Sequence, residues 1–547
     1  MVVLRPQSEW GHAPPPQTPY SIMTNIPGWD MLRGVREGDM SPLAKVVHFY
    51  PRFAPWLTLP KLGIEGKRIM IYLNPITWEY TRRFVAAKAR GPKAISPDDL
   101  ILKCVDVAGH RIYCILFDPA HTPAIMASWG NPGIGISIRG AEELLKNIDT
   151  FVEVPFDDLK NPPKPTWTPE SPVHQALRER VHELVHHATI DPAKVTSQPK
   201  DVYVYPTGMA AVFHTTNNLL EYRPGHPVIL GVVFHSTHHH LEEENHDTWK
   251  HFGKVDDQSL DEMETWLEEE IKAEKPVNFV IVETPGNPTL DTPDLPRLKK
   301  LSEKYGFVLI IDDTVGGFGN IDVFAYSDIL LTSLTKSFNG KGDCLGGSIV
   351  LNPLSPHYNA LSSLFAANHH NELFTADAEV LLNNSKEFFP RTQILNRNAE
   401  AMANFLQKCA DDPDSPVVKV RYPTLLPSKG HYDAVKRRST PELPEPGYGC
   451  LLTLDFESTA TAKAFYDRCG FYPSPHLAGH VTLTFAYNMF LFGKEDKERE
   501  YFRGLGVKEE GIRISAGLED VQDLIDTLQD GLEAAIEAKK NQGDIKN

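Results

Sequence analysis

Apolar runs of four to seven residues, each followed by a turn and a segment of helical period, recur from about residue 200 onward. The strand-like runs are DVYVYP (201–206), HPVILGVVF (226–234), NFVIVETP (278–285), GFVLIIDD (306–313) and DILLTSL (328–334). Helices are predicted between them at 209–220, 260–273 and 295–305. Short strands that are apolar throughout, with helices as crossovers, predict a parallel-rich central sheet covered on both faces.

Elsewhere the pattern is sparser. Residues 68–73 and 111–117 read as strands flanking a helical stretch at 79–89, which predicts a small α/β unit. Residues 1–30 are rich in Pro, Gly and polar side chains and predict an arm that orders only against another surface. A Pro-rich stretch at 161–172 precedes the repetitive region. After about 395 come a helix, low-complexity loops (RYPTLLPSKG, TPELPEPG) and mixed elements, predicting an α+β domain. The expected division is an arm at 1–30, an N-terminal α/β region at 31–195, a large ligand-binding domain at 196–395 and a C-terminal α+β domain at 396–547.

At 547 residues the chain has material for about three units at the usual ~100–200 residues per domain. A net charge of −17 argues against a nucleic-acid or anionic-membrane partner. Six scattered cysteines without a CxxC pair fit reduced thiols, and no run approaches the ~18 apolar residues of a membrane span, so a cytoplasmic protein is expected. The acidic segment DEMETWLEEEIKAEK reads as the solvated face of an amphipathic helix.

Ligands of parallel sheets bind at the carboxyl ends of the strands, and there the unusual residues fall. Asp312 ends one strand; Ser333, Thr335 and Lys336 follow another. A buried carboxylate needs a partner, and a protonated pyridine nitrogen supplies one. The Lys336 and Asp312 pair therefore points to pyridoxal 5′-phosphate (PLP). In PTGMAAVF, Gly208 and Met209 open a helix directly after a strand, an arrangement whose backbone N–H groups can cradle a phosphate.

With these residues in place the chain resembles the Cys/Met-metabolism PLP enzymes, specifically the fungal-type cystathionine γ-synthases. The matching segments are YPRF (50–53), RIYCILFDPAHTPAIMASWGNPGIGIS, QALRERV, YPTGMAAV, VETPGNP, IIDDTVGGFGNIDV, SLTKSFNGKGDCLGGSIVLNP and IRISAGLED. The resemblance implies an α/β fold of PLP-dependent transferase fold type I (aspartate aminotransferase-like). It also implies Lys336 as Schiff-base lysine, Asp312 on the pyridine nitrogen, and Gly208, Met209, Ser333 and Thr335 on the phosphate. Asn287 would lie near O3′, and Arg513 would hold the substrate α-carboxylate. A homodimer or homotetramer acting on a small amino-acid substrate is implied as well.

Three departures stand out. Phe234 falls where the family stacks a tyrosine on the cofactor ring; His476 replaces a serine that helps hold the carboxylate; and 151–180 lacks a Tyr-x-Arg pair, with Pro155 and Asp157 in its place. His235 or His476 is then the expected replacement acid or base. His235 and His239 have the i, i+4 spacing of a helical metal site, but no third ligand accompanies them, and no metal is expected. The implied reaction is γ-replacement on an O-acyl-L-homoserine through a vinylglycine-type quinonoid, with a sulfur, carbon or nitrogen nucleophile. A γ- or β-lyase of sulfur amino acids and a non-catalytic PLP-binding homologue are the alternatives.

Overall fold

The computed structural model describes residues 2–26, 28–39, 41–46, 66–87, 94–130, 132–159, 161–245, 248–492 and 495–546. YPRF at 50–53 and residues 88–89 of the expected helix lie outside them.

The first sheet consists of β1 (Arg68–Tyr72), β2 (Ile101–Val107), β3 (His110–Phe117) and β4 (Val152–Glu153), in the antiparallel order β1-β3-β2-β4. The sequence pattern gave β1 and β3 but not β2 or β4. β2 has an exposed or half-buried start at 101–103, a further half-buried position at Asp106, and is joined to β3 by a two-residue turn, Ala108–Gly109, with φ of 52° and 78°. Two successive positive φ values make the tight hairpin turn whose twist suits antiparallel strands. The helix Ile76–Ala86 lies between β1 and β2.

The central sheet has seven strands: β5 (Val202–Tyr205), β6 (His226–Leu230), β7 (Lys250–Phe252), β8 (Val277–Glu283), β9 (Val308–Asp312), β10 (Ile329–Thr332) and β11 (Gly347–Leu351). Their order is β5-β11-β10-β9-β8-β6-β7, and only β11 runs against its neighbours. Alternate side chains sort into two cores. Val280, Val282, Leu309 and Ile311 join one; Phe279, Ile281, Val308 and Ile310 join the other. The second core also takes in Tyr72, Tyr113 and Phe117 of the first sheet, so the two sheets share one apolar layer.

The strand expected over 226–234 ends at Leu230. Gly231, at φ 78°, turns the chain and donates its N–H to Phe252 O at 2.7 Å. A side chain there would meet Val255 at 2.6 Å, so glycine is needed both for the turn and for the close approach. Phe234 therefore sits at the head of the helix His235–Asn245 rather than within a strand.

The helix Pro172–His186 precedes the expected boundary at 195, yet Leu177, Val181 and Leu184 pack into a core of the central sheet. The third sheet comprises β12 (Val417–Arg421), β13 (Leu451–Phe456), β14 (Tyr472–Pro473), β15 (Leu483–Phe485) and β16 (Gly511–Ser515). It runs β12-β13-β16-β15-β14 and packs against the long helices Phe388–Ala410 and Val521–Lys546. The low-complexity segment before β13 is no solvated loop: it contains the helix Lys429–Val435 and buries Tyr422 and Tyr432.

The arm orders against its own chain. Val2 N–H donates to Asp526 Oδ2 at 2.7 Å and Leu4 N–H to Thr527 Oγ1 at 2.9 Å, both on the last helix. Further along, Ile22 N–H donates to Gly342 O at 2.7 Å and Ile26 N–H to Pro473 O at 2.8 Å.

Candidate functional site

Lys336 leaves the end of β10 in a tight turn, its N–H donating to Ser333 O at 3.3 Å and its carbonyl accepting from Gly340 N–H at 2.7 Å. The side chain is 7% exposed and brings Nζ within 3.4 Å of Nδ1 of His476. Burial, followed by the charge of Arg513, pushes the Lys336 ammonium down from its ordinary range to about 7. His476 is fully buried on the loop after β14 and is pushed well below the usual imidazole range, first by burial and then by Lys336 and Arg513.

Two acids stand side by side across parallel strands, Glu283 at the end of β8 opposite Asp312 at the end of β9. Asp312 Oδ1 accepts the Thr314 N–H at 2.9 Å, and burial raises this carboxyl to about 6. Glu283 Oε1 accepts the Phe234 N–H at 2.5 Å, and its carboxyl is raised by burial and then by Asp312. Glu283 was missed in the sequence, although VETPGNP carries it. Its partner became visible only when β8 and β9 were in register.

The helix Gly208–Tyr222 starts behind a Thr207 cap: Thr207 Oγ1 accepts the Ala210 N–H at 2.8 Å and donates to Gly133 O at 2.8 Å. That leaves the N–H groups of Gly208 and Met209 at the open, positive end of the helix. A Cβ on Gly208 would stand 2.8 Å from both Cβ and Oγ of Ser333, so only glycine lets helix and hydroxyl meet this closely. Thr335 lies in the same turn as Lys336. Its hydroxyl donates to Gly346 O at 3.1 Å and accepts Gly346 N–H at 3.0 Å, fastening the Lys336 turn to the start of β11.

Arg513 lies on β16 between Thr453 of β13 and Phe485 of β15. Nη1 donates to Asn287 Oδ1 at 3.2 Å, and Nη2 donates to the carbonyls of Pro475 at 2.5 Å and His476 at 3.1 Å. Asn287 in turn donates from Nδ2 to the Tyr487 hydroxyl at 3.1 Å. Asn287 thus bridges Arg513 and Tyr487, a tyrosine the sequence did not single out. The rings of Phe234 and His235 meet edge to face with centroids 4.4 Å apart, and His235 stands 6.3 Å from the Tyr487 ring.

His235 and His239 are not brought to a shared ligand. His239 faces Glu242 at 3.4 Å and Glu498 at 3.8 Å, and among the described residues no cluster of His, Cys, Asp and Glu could hold a metal ion. Pro155 and Asp157 are exposed on the segment following β4. Among the described residues no helix is long and apolar enough to cross a membrane.

A buried lysine of lowered basicity, a buried acid with a raised pKa and a helix N-terminus beside a serine hydroxyl form a donor set that fits PLP. Known proteins agree. The cystathionine gamma-synthase-like enzyme iboG2 of Amanita muscaria is 29% identical over 614 residues, covering 96% of this chain and 96% of its own. The alanine racemase ungC of Aspergillus violaceofuscus is 30% identical (78% of this chain, 74% of its own), and the cystathionine gamma-synthase of Neurospora crassa 33% (66% and 58%). Among solved structures, cystathionine gamma synthase from Xanthomonas oryzae pv. oryzae in complex with cystathionine superimposes with a TM-score of 0.54 at 22% identity, covering 68% of this chain and 87% of that one. That likeness gives the fold, PLP-dependent fold type I. The sequence model of the Cys/Met metabolism PLP-dependent enzymes matches residues 180–533, and the chain belongs to that family.

Proposed function

We propose that the protein catalyses γ-replacement on an O-acyl-L-homoserine, joining the four-carbon amino-acid unit to a sulfur, carbon or nitrogen nucleophile. The observation that carries this reading is the link from Arg513 through His476 to Lys336. The guanidinium donates to the His476 carbonyl, and the imidazole of the same residue faces the lysine amine. A fixed planar cation beside an amine of lowered basicity suits an α-amino acid, held by its carboxylate and worked on at the neighbouring carbons.

PLP, when held on Lys336, supplies an electron sink for proton removal next to the substrate nitrogen. The protein's own residues do the rest. Asp312 would keep a proton on the pyridine nitrogen; Gly208, Met209, Ser333 and Thr335 would hold the phosphate; and Phe234 would cover the ring. Once the substrate amine has displaced Lys336 from the cofactor, its freed Nζ, whose basicity burial lowers, can take a proton from the substrate α-carbon. His476 Nδ1, 3.4 Å away, can exchange that proton, and His235 is the second candidate for acid or base work. Burial of Lys336, His476 and Arg513 excludes water, which favours addition of a nucleophile over hydrolysis to a 2-oxo acid and ammonia. A homodimer or larger assembly belongs to this reading.

The test is product identification by mass spectrometry after incubating the PLP-loaded protein with O-acetyl- or O-succinyl-L-homoserine and a panel of nucleophiles. L-Alanine racemisation serves as the control reaction. A coupled product with loss of the acyl group is expected. A 2-oxo acid and ammonia as main products would replace this reading with the lyase, and retention of PLP with no turnover of any substrate would replace it with a non-catalytic PLP-binding homologue.

A further inference from the structure

Tyr487 opens a five-residue helix, Tyr487–Leu491, two residues beyond Phe485, the β15 residue paired with Arg513. This register swings its ring over the neighbouring strand, so that the Arg513 guanidinium carbon lies 4.1 Å from the ring centroid. The hydroxyl at the far end of the ring accepts from Asn287, which also accepts from Arg513. The guanidinium is thereby gripped on its face by the ring, along one edge by Asn287, and at Nη2 by the Pro475 and His476 carbonyls. Tyr487 is 1% exposed, and its phenol is held well above its ordinary range, chiefly by burial, so it remains a neutral ring under a cation.

A tyrosine whose only task was to fill the core would need neither contact. An unrestrained arginine side chain has many rotamers to lose before it can present one geometry. A cation on an aromatic face in a desolvated site is among the stronger ways to remove that freedom.

We infer that Tyr487 is the positioning residue that presents Arg513 to the substrate α-carboxylate, coupling that grip to Asn287. The inference rests on Arg513 being the carboxylate clamp. It makes Tyr487 selective for amino acids over amines of the same length, because its effect passes only through the carboxylate contact.

The test uses the PLP-loaded protein and two primary amines without a γ leaving group, L-2-aminobutyrate and n-propylamine, with apparent dissociation constants from calorimetry and bound PLP quantified for each variant. Tyr487→Leu, which removes ring and hydroxyl, should weaken L-2-aminobutyrate about tenfold while n-propylamine stays within about twofold. Tyr487→Phe, which keeps the ring and the shape, should weaken the amino acid about threefold through loss of the Asn287 contact alone, and it carries the test if the leucine variant does not fold. Equal weakening of both probes would overturn the inference, as would no weakening in either variant. Arg513→Ala separates the two levels. If it leaves L-2-aminobutyrate binding unchanged, the clamp assignment itself is wrong; if it weakens binding while the Tyr487 variants do not, only the positioning role is wrong.

Discussion

Lys336 Nζ and His476 Nδ1 face each other at 3.4 Å in a space closed to solvent, with the Arg513 guanidinium bonded to the carbonyl of that same histidine. An amine that is cationic in water and an imidazole that titrates just below neutrality are thus held next to a guanidinium that is always charged. The arrangement favours the neutral lysine.

That gives the first prediction, for the cofactor-free protein. Between about 7 and 10.5 the unfolded chain binds a proton at Lys336 that the native state does not, so stability rises with pH across this window. Lys336→Met removes the penalty. Its melting temperature should exceed that of the wild type by about 5 °C near pH 7, and the gap should close toward pH 10.5. Parallel melting curves at all pH values would show that the lysine is not desolvated as described.

Asp312 works with the opposite sign. Its carboxyl is raised from 3.8 to about 6, so the native cofactor-free protein binds more protons than the unfolded chain there and loses stability as pH rises through that interval. Asp312→Asn should flatten this stretch of the melting profile and loosen PLP by about ten- to a hundredfold, the worth of a hydrogen bond to a charged group. Unchanged PLP affinity in equilibrium titration would shift the pyridine contact to Glu283.

Arg513→Ala should raise KM for the amino-acid substrate by about ten- to a hundredfold while leaving PLP occupancy intact. Steady-state kinetics with the PLP content measured alongside check this. Loss of PLP together with substrate binding would mean that the residue supports the whole pocket.

The fourth prediction concerns the missing phenol at Phe234. General acid or base help is worth about 10² to 10⁴ in rate. His476→Gln or His235→Ala should therefore lower kcat by at least about a hundredfold and alter the pH–rate profile, while Phe234→Tyr should improve turnover with cysteine relative to the native nucleophile. If the wild type makes cystathionine as its best product and both histidine variants keep full rate and profile, the altered residues do not define a specialised enzyme.

Local signals carried much of this. Apolar strands ending in Asp312 and beside Lys336, and the glycine turn opening the helix at Gly208, are short patterns in which residue type, period and chemistry agree. The helix 295–305 was legible to the residue, since Asp294 caps its start and Gly306, in the left-handed region, ends it. Glu283 and Tyr487 were not legible, because each acquires meaning from strand register: Glu283 from β8 against β9, Tyr487 from β15 against β16. The bonds of Thr335 to Gly346 were not legible either, because they depend on where the chain returns eleven residues later. β2 was hidden by Lys103 and Asp106, which interrupt its apolar run without strand periodicity, and by the non-glycine residue in the first turn position.

The docking of the arm bears on how the chain is made. Residues 2 and 4 hydrogen-bond to partners 524 and 523 residues away, and Arg5 pairs with Asp530 at 2.6 Å. Ile26, Trp29 and Leu32 also enter the apolar core built on the third sheet. Residues 2–5 must therefore wait for residues 526–530 before they find their seat, about half a minute or more at the usual ~5–20 residues per second. Closing so long a loop is slow in itself. During that interval the apolar core around β16 is incomplete, so the surroundings of Arg513 should be finished only after residues 521–546 have been made and docked.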